Sequence, residues 1–176
     1  MASDVTTDSP VLFEVREDNL DTGLRGYPVG TCRTSSVDPQ TGLHYVGYPI
    51  TDLKDLPVDD VIFLLFNKRL PTTEESIAFR REMEQREAVP DAVYQVLESL
   101  PREGHPMEWF MVALNYLGMI EKTGDYREDA LNLVARVSTI VAAIFHVREG
   151  WGRPIKPCSD LPFSANFVCM LGMPET

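Results

Sequence analysis

A chain of 176 residues, 44% hydrophobic and 24% charged, is long enough for one folded domain with a core, and its composition argues against disorder. The formal charge of -11 at pH 7 argues against nonspecific binding to nucleic acid or an anionic membrane surface, both of which need clustered Lys and Arg. An anionic ligand would have to be met by a few locally focused arginines. Cys32, Cys158 and Cys169 stand at wide spacings with no CxxC pair, so they are expected to be reduced thiols in an intracellular protein.

The opening MASDVTTDSP is polar and acidic, without the marks of a signal peptide or presequence, and residues 1–10 are expected to form a flexible acidic tail. Residues 11–50 read as an irregular segment followed by a β-hairpin. The irregular part contains TGLRGYPVG, with Gly23, Gly26 and Gly30 at a spacing wrong for a dinucleotide fingerprint. Arg25, between two glycines, has a mobile backbone and a guanidinium fork suited to phosphate. The stretch SSVDPQTGLHYVGYPI, Ser35 to Ile50, has the pattern of strand, turn, strand.

From residue 51 to 176 the period becomes helical. Val58 to Phe66 predicts a helix whose start is matched by Asp59 and Asp60, and Pro71 is expected to end it. Thr72 and Glu75 form a capping-box pattern that opens a charged outer helix running to about Arg86. Pro90 and Asp91 start a short helix that Pro101 closes. Pro106 suits a first helical position with His105 as its cap. Met107, Phe110, Met111, Leu114 and Leu117 follow at helical spacing to about Gly118, and the helix is expected to be buried on more than one side. Tyr126 to Arg148 reads as the longest helix. Its apolar part approaches the length of a membrane span, but Asn132, Arg136, Ser138, Thr139 and His146 interrupt it, and a buried helix of a water-soluble bundle accounts for it better. Two consecutive helices this apolar need cover from a subunit interface or from a second half of the protein. A proline-rich loop and a short apolar helix complete the chain, with no terminating feature before Thr176.

No catalytic residue and no metal ligand is expected here. His44, His105 and His146 belong to no HExxH motif or Cys/His cluster, and they read as a strand residue, a helix cap and a helix-end residue whose partial positive charge would suit the dipole. Asp59–Asp60 and Glu74–Glu75 are neighbours that point in different directions on a helix, so helix-start electrostatics explains them better than acid–base work. No serine lies in GxSxG, and no cysteine has a nearby base.

In order along the chain, GLRGYPVG, SSVDPQTGLHYVGYPITDL, RLPTTEE, GHPMEWFMVAL, LNLVARVSTIVAAIF with its following REG, and FSANFVCMLGM resemble the citrate synthase family, including the 2-methylcitrate synthases. The resemblance implies a mainly α fold: the N-terminal part of that family's large-domain helical bundle, with a small N-terminal β-hairpin. It implies the N-terminal portion of an acyltransferase that condenses acetyl-CoA, or propionyl-CoA, with oxaloacetate, the catalytic histidines and aspartate being expected in a missing C-terminal half. The alternative is a noncatalytic scaffold or assembly partner. By the same resemblance Arg25 matches an arginine that contacts a phosphate of CoA. Val46 departs from the family, which often has arginine before the GY of the hairpin. Acetyl-CoA would be a substrate of the complete enzyme, with no tightly bound cofactor. Helices about 106–118 and 126–148 would form a homodimer interface or meet the complementing half. A bacterial cytoplasm is favoured, with the matrix of mitochondria as the setting for a processed protein.

Overall fold

The computed structural model describes residues 11–21, 23, 25–154, 156–157 and 161–172; the expected acidic tail, Leu24, Cys158 and residues 173–176 lie outside them. In the β part, the Asp38 side chain accepts from the backbone N–H groups of Gln40 and Thr41 at 2.8 Å each and so closes a tight turn. Strands β1 (Ser35–Asp38), β2 (Gly42–Tyr45) and β3 (Tyr48–Pro49) form an antiparallel sheet in the order β1-β2-β3. Val37 faces Leu43 and Tyr45 faces Tyr48 in the register. The expected hairpin is therefore a three-stranded meander. Its second turn is Val46–Gly47, with φ of 52° and 86°, the pair of positive values that a two-residue type I′ hairpin requires. Sequence reading missed it because no Asn or Asp marks the turn.

Helices follow without a break into a second domain: α1 (Ile50–Leu53), α2 (Val58–Asn67), α3 (Thr73–Arg86), α4 (Asp91–Ser99), α5 (Pro106–Glu121), α6 (Tyr126–Glu149) and α7 (Phe163–Leu171). The fold is mainly α with one small antiparallel sheet. Helix α2 stops before Pro71, because Lys68 takes the left-handed conformation (φ 59°) and its N–H closes on the Leu64 carbonyl at 2.7 Å. The box at α3 forms as the sequence predicts: Thr72 Oγ1 accepts from the Glu75 N–H, and Glu75 Oε2 accepts from the Thr72 N–H at 2.9 Å. At α5, His105 Nδ1 accepts from the Met107 N–H at 3.2 Å while Glu108 accepts from the His105 N–H at 2.8 Å. This helix continues past Gly118 to Glu121.

The core is arranged along α6, which packs against α3, α4, α5 and α7. Its first half carries Leu131 and Ala135 into one cluster with Phe63, Phe79 and Met83, where the Phe63 and Phe79 rings meet edge to face at 5.4 Å. Its second half carries Ile140, Ala143 and Ile144 into another cluster with Val93, Leu97, Trp109, Ala113 and Leu117. The segment long enough to cross a membrane is thus the bundle's central helix. Its polar residues find partners one by one. Asn132 accepts from Arg86 at 2.7 Å, Arg136 pairs with Glu121 and donates to the Arg86 carbonyl at 3.0 Å, and Thr139 donates to Met170 Sδ at 3.5 Å. His146 is the exception among these. Its ring packs edge to face on Trp151 at 5.5 Å, and both of its nitrogens are buried without a hydrogen-bond partner among the described residues.

Helix α5 buries Trp109, Ala113 and Leu117 and leaves Met107, Met111, Met119 and Ile120 exposed, so the described residues cover one side of it and leave the other without the further cover that its apolar sequence predicts.

Candidate functional site

In the GLRG segment, Gly23 (φ 59°) and Gly26 (φ 85°) both take backbone conformations that L side chains rarely adopt. Two such residues on either side of Arg25 turn the chain sharply and leave the Arg25 side chain exposed. Among the described residues it makes no ion pair, so its fork is available to an anion from outside. The segment is fastened by the Phe13 ring, which packs on Tyr27 with centroids 5.2 Å apart.

Two of the three histidines are engaged by local hydrogen bonds and the third is buried. His44 Nδ1 lies 3.1 Å from the Gly42 carbonyl within β2, His105 caps α5, and His146 is enclosed at the end of α6. The acidic pairs also resolve into structural roles, one of them different from the sequence expectation. Asp59 is buried and faces Arg80 Nε at 3.5 Å, and its burial, which outweighs the attraction of Arg80, pushes its carboxyl up from the ordinary range. Asp60 beside it accepts from Ser76 Oγ at 2.5 Å. Glu75 is held in a two-pronged pair with Arg69, at 2.6 and 2.7 Å, and the Arg69 hydrogen bonds bring it down to about 2. Among the described residues no group of three or more His, Cys, Asp and Glu side chains converges as a metal site.

One perturbed group was missed. Cys32 Sγ lies 3.3 Å from Ser35 Oγ and 3.6 Å from Thr34 Oγ1, and these hydroxyls, Ser35 first, bring the exposed thiol down to about 6. The signal was present in CRTS, with hydroxyl residues two and three positions after the cysteine.

The other candidate surface is the uncovered side of α5. Met107, Met111, Val112, Asn115, Gly118 and Met119 lie on it, all exposed. A Cβ added at Gly118 would meet nothing within 4 Å, so among the described residues no neighbour requires glycine there. Beside this face a cleft of about 240 Å³ opens between α5 and α6, lined by Leu114, Leu117, Glu121, Asn132 and Arg136 among others.

Fold and site together define a class: a helical-bundle domain, headed by a small antiparallel meander, that presents a glycine-flanked arginine and an uncovered apolar helix face. The family described as "Citrate synthase, C-terminal domain" matches residues 23–176. The chain belongs to the citrate synthase family. It is 36% identical over 162 residues to the 2-methylcitrate synthase of Mycobacterium tuberculosis, covering 88% of this chain and 41% of that protein. It is 32% identical to Citrate synthase 2 of Bacillus subtilis, covering 87% of this chain and 43% of the relative. Among solved structures, the citrate synthase from Pyrobaculum aerophilum superposes with a TM-score of 0.77 at 26% identity, over 85% of this chain and 41% of that one. The chain therefore spans about two-fifths of the length of the relatives it matches.

Proposed function

We propose that this chain is the N-terminal portion of a citrate synthase-type acyltransferase that condenses acetyl-CoA, or propionyl-CoA, with oxaloacetate, the step that feeds a tricarboxylic acid cycle. The observation that carries the reading is the family match across residues 23–176 at about two-fifths of the relatives' length. The order of motifs, GLRGYPVG ahead of GHPMEWFMVAL, supports the N-terminal placement. In the reaction a carboxylate removes a proton from the carbon next to the thioester, a histidine stabilises the enolate oxygen, and a second histidine protonates the ketone oxygen as the new bond forms. The local hydrogen bonds of His44 and His105 and the burial of His146 support assigning those roles to the part of the enzyme outside this chain. This chain contributes scaffold, the apolar faces of α5 and α6 as the homodimer interface, and Arg25 as a contact to a phosphate of CoA. The setting is the cytoplasm.

The test measures CoA released from acetyl-CoA in the presence of oxaloacetate, first with the chain alone and then with a polypeptide corresponding to the remainder of a relative. Turnover is expected only in the mixture. Turnover by the chain alone would overturn the division of roles, and none in either case favours a noncatalytic scaffold or assembly partner. In the active mixture, Arg25→Ala is expected to raise KM for acetyl-CoA about tenfold and leave that for oxaloacetate unchanged. An unchanged acetyl-CoA value removes Arg25 from the site.

A further inference from the structure

The methionines of this chain are divided by burial. Met83 and Met170 are 4% and 1% exposed within the bundle, whereas Met107, Met111 and Met119, all on α5, are 56%, 60% and 77% exposed. Met1 and Met173 lie outside the described residues. At 3.6 residues per turn the three exposed thioethers fall within an arc of about 120°. Gly118 and Asn115 lie within that arc and Val112 just beyond its edge, and Glu108, held at the helix start by its capping bond to the His105 N–H, is its one charge. Two features of the face point outward to a close apolar contact. A mid-helix glycine costs about 0.5–1 kcal/mol relative to alanine, and no neighbour among the described residues explains Gly118. Unbranched thioethers also adapt their shape to an opposing surface better than other apolar side chains do.

We propose that this methionine face is a peroxide-sensitive assembly surface: two-electron oxidation of Met107, Met111 and Met119 on the unassembled chain opposes its association with a second copy. The proposal rests on the homodimer reading given above. The chemistry balances with hydrogen peroxide as the oxidant. The thioether sulfur attacks one peroxide oxygen, the O–O bond breaks, that oxygen stays on sulfur as the sulfoxide, and the other leaves as water after proton transfer. A sulfoxide oxygen is a strong hydrogen-bond acceptor. The face offers it few donors, since Asn115 already donates one Nδ2 proton to the Met111 carbonyl at 2.7 Å and Met, Val and Gly side chains have none to give. Burying such an oxygen unpaired in a helix-to-helix contact carries the cost of stripping its water without replacement. In a two-fold symmetric pair every modified sulfur counts twice. Once the pair has formed, the same contact covers the sulfurs and slows their oxidation. The buried Met83 and Met170 should stay reduced in either state.

The experiment compares the dimer dissociation constant of the full 176-residue chain by sedimentation before treatment, after hydrogen peroxide, and after subsequent methionine sulfoxide reductases of both epimer specificities. Peptide mass mapping locates the oxygens. A triple Met107→Leu, Met111→Leu, Met119→Leu variant keeps volume and apolarity while removing the reactive sulfurs. Peroxide is expected to weaken association of the native chain tenfold or more, the reductases to restore it, and the triple variant to associate normally and ignore peroxide. An untreated chain that stays monomeric at every concentration overturns the homodimer reading, and the proposal with it. A chain that dimerises but keeps its dissociation constant with all three sulfurs oxidised overturns the proposal alone. So does a triple variant as sensitive as the native chain, which would move the sensitivity elsewhere, Cys32 first.

Discussion

The bundle from α1 onward and the segment ahead of it are stabilised in different ways. The bundle owns two apolar clusters threaded by α6, with Leu64, Leu97, Ile140 and Val93 fully enclosed. Among the described residues from 11 to 49 none is buried, and Val11, Leu12, Val15, Leu20, Val29 and Val37 are exposed. What holds that segment is local: the Asp38 turn, the Val46–Gly47 turn and the Phe13–Tyr27 ring contact. A fully buried Leu or Ile side chain contributes about 1.5–3 kcal/mol, whereas a single exposed turn or ring contact contributes about 1 kcal/mol or less. The lesson is that this chain supplies the bundle's stability itself and leaves the Arg25 segment to be ordered chiefly by what covers it.

The largest effect should come from the bundle. Leu97→Ala empties a fully enclosed position between α4, α5 and α6 and is expected to cost about 2–5 kcal/mol, read from the urea midpoint of the helical circular dichroism. The contrasting substitution is Val46→Asn. A β-branched residue at φ 52° carries about 1–2 kcal/mol of strain that asparagine relieves, so amide exchange at Tyr45 and Tyr48 should slow severalfold while the global midpoint stays where it is. If the midpoint rises by the full amount of the relief, the meander unfolds with the bundle and the division between the two regions fails.

Legibility in the sequence follows the same divide between short-range and long-range causes. The starts of α3 and α5 could be read because each is set by four consecutive residues, Thr72 to Glu75 and His105 to Glu108, whose side chains close on their own backbone. The end of α2 could not, since Lys68 adopts a left-handed conformation without a glycine to announce it. The glycines flanking Arg25 announced a mobile backbone, and both have positive φ; the ligand of Arg25 is a matter of resemblance, because the pattern itself specifies only a phosphate-compatible fork. Asp59 looked like a helix-start charge. Its burial depends on Arg80 of the next helix, a tertiary fact that no local pattern carries. The unsatisfied nitrogens of His146 and the single-sided burial of α5 among the described residues are hidden for the same reason: each depends on tertiary packing.

A smaller effect tests the outward face of the bundle itself. Gly118→Ala enters open space on α5 and should raise the stability of the monomeric chain by about 0.5–1 kcal/mol through helix propensity. If a second helix packs closely there, the same methyl group weakens self-association, so stability and dimerisation would move in opposite directions. Parallel movement would mean that no partner backbone approaches Gly118.

The smallest effect is one of sign. Glu87 follows α3, where Asn166 Nδ2 of α7 donates to it at 3.3 Å. Burial, and then the nearby Glu84 carboxylate, push its carboxyl up from the ordinary value, against the lowering effect of Asn166. A carboxyl with a raised native pKa weakens the fold when ionised. That penalty is fully present above the native pKa and disappears as pH falls through it toward the ordinary value. Glu75 runs the other way: held down to about 2, it stabilises above its ordinary value near 4.5 and loses that stabilisation as pH falls through about 2. As pH falls from neutrality toward the ordinary carboxylate range, then, Glu87 responds before Glu75 does. Glu87→Gln keeps an acceptor for Asn166 and removes the charge, so its urea midpoint should exceed the native one at neutral pH, and the gap should close on acidification. A gap that is constant, or that widens toward acid, would mean that the bond to Asn166 outweighs burial, and that α7 is docked by an ionised Glu87.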